Sequence, residues 1–106
     1  MPKFLVKASY NAEGAKGLMK EGGTGRRASL QKLIEGLGGR MEAFYFAYGE
    51  DDALIIADLP DVTAGLSLSL AANASGAVRV STVPLITPEE MDAATKRAVP
   101  YRAPGA

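Results

Sequence analysis

Apolar and polar residues alternate over 4–10, with Phe4, Val6 and Ala8 on one side of an extended chain and Leu5, Lys7 and Ser9 on the other. That period of two predicts a strand. Asn11 is a helix-capping residue, and Ala15, Leu18 and Met19 recur at i, i+3, i+4. They predict a short helix, broken by the glycine-rich run 22–25. Thr24 is the expected cap of a longer helix in which Leu30, Leu33, Ile34 and Leu37 form one apolar stripe. Each such side chain contributes about 1.5–3 kcal/mol when fully buried, so this helix must pack on something. Gly38 and Gly39 stop it, because glycine takes the left-handed position after a helix without steric cost.

Residues 40–48 and 53–59 read as two strands around a turn at 49–52, and Pro60 ends the second. Asp61 is placed to cap a helix over about 62–73. Leu66, Leu68 and Leu70 alternate there as in a strand, but length and the many alanines favour a helix. A loop at 73–76 leads into a valine-rich strand at 77–86. Thr87, Pro88 and Glu90 mark a helix start: a capping hydroxyl, proline at the first position, glutamate three residues on. Met91, Ala94, Thr95 and Ala98 are its expected inner stripe. The order predicts an α+β, ferredoxin-like βαββαβ fold with a four-stranded antiparallel sheet, both main helices on one face, and an extra C-terminal helix. One domain spans 1–106, with a core about 3–86, the last helix about 88–98 and a tail at 99–106.

Strand parity then assigns the face without helices. Phe4, Val6 and Ala8, Ala53, Ile55 and Ala57, Met41, Ala43 and Tyr45, and Val78 and Val80 are expected beneath the helices. Leu5, Lys7 and Ser9, Glu42, Phe44, Phe46 and Tyr48, Leu54, Ile56 and Asp58, and Arg79, Ser81 and Val83 are expected on the open face. A one-residue slip in any strand exchanges its two sets. Phe44, Phe46, Leu54 and Ile56 together make a patch too apolar for a monomer to leave wet. Two copies packed through this face, as a homodimer or higher homo-oligomer, would cover it. The alternative is cover by the C-terminal helix within one chain.

Composition narrows the chemistry. The chain has no histidine and no cysteine, which excludes a Ser-His-Asp triad, a thiolate nucleophile, disulfides and cysteine zinc sites. No cofactor and no metal is called for. The net charge is zero, which argues against general nucleic-acid binding, and no apolar run approaches the ~20 residues that span a bilayer. A cytoplasmic protein is expected. The neutral total hides a layout of +5 over residues 1–40, −6 over 41–62 and +1 over 63–106. It describes either two solvated faces of opposite sign or a cationic patch for an anion or a second subunit.

Without histidine, an acid or base must be a carboxylate, tyrosine or lysine with a shifted pKa. Lys7, Tyr48, Asp58 and Arg79 are the candidates on the open face, either as an acid–base set or as rim groups pairing between subunits. Phe44, Phe46, Leu54 and Ile56 are the candidate ligand-binding surface. The glycines at 22, 23 and 25 followed by Arg26 and Arg27 could hold an anion at a helix start, but the P-loop motif is absent. Gly23-x-Gly25-x-x-Ala28 resembles a dinucleotide turn yet follows a helical stretch rather than a strand, and a plain break between helices accounts for them. Glu50, Asp51 and Asp52 are oxygen donors on a turn, where solvation is the ordinary fate.

The runs 33–46 and 75–79, with Gly49, Asp52 and Thr87-Pro88-Glu89, resemble the GYD domain family of small bacterial proteins, over roughly residues 3–90. The family's signature pairs glycine, any residue, tyrosine and aspartate; here Gly49 and Asp52 match while Asp51 stands in the tyrosine position. The resemblance implies a dimeric α/β barrel. That wider superfamily spans cofactor-free oxygenases and isomerases as well as ligand-sensing domains, so fold does not choose among them. Three readings follow: a homo-oligomer binding a small organic ligand in a cavity on the open sheet face, a cofactor-independent oxygenase or isomerase, and a structural or assembly subunit.

Overall fold

The computed structural model describes residues 1–106. Lys3–Tyr10 forms β1, Ala12–Glu21 α1, Gly23–Gly36 α2, Arg40–Phe46 β2, Ala53–Asp58 β3, Val62–Ala74 α3, Val78–Leu85 β4 and Pro88–Thr95 α4. The strands make one antiparallel sheet in the order β2-β3-β1-β4. The α+β class and the four-stranded antiparallel sheet are those the pattern predicts.

Most helix boundaries follow from capping side chains. Asn11 accepts the Gly14 amide at 3.0 Å, and Asp61 accepts the Ala64 amide at 2.8 Å. Thr87 and Glu90 close a reciprocal capping box at 3.1 and 3.0 Å. Thr24 is not a cap. α2 begins at Gly23 because the chain passes from α1 to α2 through Gly22 alone, at φ 83° and ψ 161°, a conformation open essentially to glycine. The end of α2 is a double closure. Gly38, at φ 84°, donates its amide to Glu35 and Gly39 donates to Ile34, both at 2.9 Å. A Cβ on Gly39 would lie 2.3 Å from the Asp58 carbonyl oxygen, so packing as well as the turn requires glycine there.

The core lies between the sheet and two helices. Phe4, Val6 and Ala8 of β1 and Ala53, Ile55 and Ala57 of β3 meet Leu30 and Ile34 of α2 and Leu68 of α3. The parity of β1, β3 and β4 is as predicted: Leu5, Lys7, Leu54, Ile56, Arg79 and Val83 lie on the other face.

β2 departs from the expected parity. A bulge between Met41 and Ala43 shifts its register, so Met41 opposes Ala57 but Ala43 opposes Ile56 and Phe44 opposes Ile55. Phe44 and Phe46 therefore turn to the helix side, where their rings stack edge to face at 5.0 Å, and Phe44 joins the core. Tyr45 takes the open face, and Tyr48 falls beyond the strand, fully exposed.

α4 has no buried residue, and every residue from Ile86 to Ala106 is exposed. Met91, Ala94, Thr95 and Ala98 are not an inner stripe, and the helix does not seal the open sheet face. The radius of gyration is 16.9 Å, against about 13 Å for a compact chain of this length, because this C-terminal arm stands off the body. No helix is long and apolar enough to cross a membrane.

Candidate functional site

The α2 stripe is divided between two tasks. Leu30 and Ile34 enter the core, while Leu33 and Leu37 stand over a gap between α2 and α3. Across the gap α3 presents Leu68, but its other positions there are Ser67, Ala71 and Ala72, followed by Ser75 just past its end, all too short to bridge it. α3 is also held away from α2. Asn73 grips β4 at both polar atoms of Val80, at 2.7 and 3.1 Å, and Ser69 bonds Thr82. α2 packs over β2 at the other side of the sheet. The result is a cleft of about 400 Å³ floored by Val6, Ala8, Phe44, Ile55, Val78 and Val80.

Thirteen of its sixteen lining residues are hydrophobic, and Arg26 alone carries a charge. Arg26 lies at the end of the cleft bordered by Tyr10, Ser75 and Val78, where a second, more polar groove runs under α1 past Glu13, Lys20 and Glu21. Its nearest acid is Glu21, at 4.0 Å, the outer limit of an ion pair. Arg27 is exposed and outside the lining. The volume is within the usual range for small-molecule sites, and the mostly apolar lining with a few polar groups is their usual makeup.

The polar residues expected to act together on the open face are dispersed. Lys7 sits between Leu54 and Ser81, and Arg79 lies opposite Ser9. Asp58 lies opposite Lys3, six residues along β1 from Ser9, so Asp58 and Arg79 are about 20 Å apart. Tyr48 is off the sheet, in the hairpin loop. The acid–base set that an oxygenase or isomerase would need is not assembled here. Asp58 instead belongs to an ionic cluster: it accepts from Lys3 at 2.9 Å and Arg40 at 3.3 Å, and Lys3 also pairs with Glu42. The Lys3 hydrogen bond, reinforced by Arg40, outweighs desolvation and holds the Asp58 carboxyl below its ordinary range. The hydrogen bonds to Glu42 and Asp58 raise Lys3 correspondingly.

The hairpin acids are not equivalent either. Asp52 accepts the Tyr10 amide at 2.8 Å while its own amide donates to Ala8 at 2.8 Å, which pins the β2–β3 hairpin to β1. A family model, the GYD domain, matches residues 4–95. The chain belongs to the GYD domain family. No curated protein and no solved structure matches it. In this GYD domain the aspartate of the signature is thus a structural clamp, and the cleft is assembled from residues outside the signature. Of the candidate ligand surface, Leu54 and Ile56 do lie on the open face, whereas Phe44 floors the cleft and Phe46 lies beyond it, near α1. Sequence reasoning missed the cleft. Its signal is the run of small residues on α3 opposite half of a leucine stripe, a facing pair with too little volume to close.

Proposed function

We propose that this GYD domain binds a small, largely apolar organic molecule in the cleft between α2 and α3. The observation that carries the reading is the cleft itself: about 400 Å³ of apolar space left between two helices that are otherwise fixed to the sheet. At about 30 Å³ per water-sized group, it has room for roughly a dozen non-hydrogen atoms. This cleft lies on the helix side of the sheet, opposite the face on which a cavity was expected, and the β2 bulge makes Phe44 part of its floor. Thermal melting with octan-1-ol as the probe tests the reading. A midpoint that rises with probe concentration supports it. No rise up to the solubility limit, or an equal rise in an Ala72→Phe variant whose cleft is filled, counts against it.

A second reading concerns assembly. Leu5, Ala43, Leu54, Ile56 and Val83 form neighbouring rows on the open face with no helix over them. We infer that a second copy of the chain covers this face. The chain exposes 7527 Å², whereas a compact 11.0 kDa protein exposes about 5,600 Å², and the exposed arm from Ile86 onward carries much of the difference. Ile86 and the arm beyond it continue directly from β4 and are fully exposed, so they are placed to extend such a contact.

A further inference from the structure

The cleft is apolar along its length but not at its end. Arg26 reaches it from the first turns of α2, half-buried, with Glu21 at the outer limit of contact and Glu13 and Lys20 lining the groove beside it. Glu21 is itself shared, since it also accepts from Ser29 at 3.3 Å. The Arg26 guanidinium makes no side-chain hydrogen bond, its only polar contact being Glu21 at 4.0 Å, and Tyr10 lines the same end of the cleft. A guanidinium presents five N–H donors in a fork that matches a carboxylate. An arginine beside an apolar cavity, with its donors unspent, is complementary to one kind of ligand: an apolar body ending in an anion.

We propose that the cleft takes an amphiphilic monocarboxylate, its hydrocarbon body between α2 and α3 and its carboxylate on Arg26 at the Tyr10 end. This rests on the cleft being a binding site at all, and adds the chemical class of what it binds. A cationic head would meet Arg26 unfavourably. A neutral alcohol of the same chain length keeps the apolar contacts and loses the charged one.

The test compares octanoate, octan-1-ol and octylammonium by titration calorimetry on the whole chain, with wild type and an Arg26→Gln variant. Octanoate is expected to bind wild type at least tenfold more tightly than octan-1-ol, and octylammonium more weakly than either. Arg26→Gln is expected to remove the octanoate advantage while leaving octan-1-ol unchanged. In the wild-type protein, the Arg26 Nε–H resonance should shift with octanoate and stay with octan-1-ol, a readout independent of any variant. Equal affinity for octanoate and octan-1-ol overturns the carboxylate assignment and leaves the apolar cleft standing. An octanoate preference that survives Arg26→Gln overturns it too, by placing the head elsewhere. If no probe binds, the cleft reading and this one fall together.

Discussion

Asp58 shows how a residue that suggests chemistry can be committed to structure. Its carboxylate serves Lys3 and Arg40 on neighbouring strands, joining β1 and β2 through β3. Because its folded-state pKa lies below the ordinary 3.8, its contribution is fully present above that value and is lost as pH falls through the folded value. An Asp58→Asn variant should therefore melt below wild type at pH 7, and the gap should narrow on acidification below pH 3.8. The raised Lys3 pKa works in the opposite direction, its contribution being complete below 10.5 and lost as pH rises beyond. A gap between the two proteins that is constant from pH 7 to pH 2.5 would contradict this account. Gly39 makes a second residue-scale prediction. With a Cβ 2.3 Å from the Asp58 carbonyl oxygen, Gly39→Ala should lose about 1–3 kcal/mol in urea unfolding, the usual cost of forcing extra volume into a packed site.

Among the elements, the helices were the most legible and β2 the least. Asn11, Asp61 and the Thr87–Glu90 box cap where their side-chain chemistry says they should, because a cap is a local hydrogen bond that needs no tertiary information. β1 and β3 are readable for a related reason: buried and half-buried residues alternate along all of β3 and along β1 as far as Ala8. β2 carries aromatic residues on both faces, so its pattern does not reveal the extra residue at the bulge, and one shift exchanged Phe44 and Phe46 for Tyr45. The cleft was illegible because it is a volume deficit between α2 and α3, two elements far apart in sequence. It yields a prediction at this scale. Ala72→Phe should fill the space, leave the far-ultraviolet circular dichroism unchanged and abolish probe binding. A variant that still binds octan-1-ol with wild-type affinity would place the ligand outside the cleft.

For the whole molecule, the sheet divides the apolar surface into two fates. One face builds the core and the cleft; the other, with the arm that follows β4, is the surface we propose a second copy covers. Light scattering at micromolar concentration should give twice the 11.0 kDa chain mass. Val83→Glu, on the open face and already partly exposed, should return the protein to a monomer with unchanged secondary structure. A wild-type monomer at that concentration would contradict the proposed assembly without touching the cleft. The central claim is that ligand binding belongs to the helix side of the sheet. It is tested most directly by titrating the isotope-labelled protein with octan-1-ol and mapping amide shifts by NMR. The account predicts shifts concentrated at Leu30, Leu33, Leu68, Ala71 and Ala72. Shifts confined to Leu5, Ile56 and Val83 on the open face, or none at all, would contradict it.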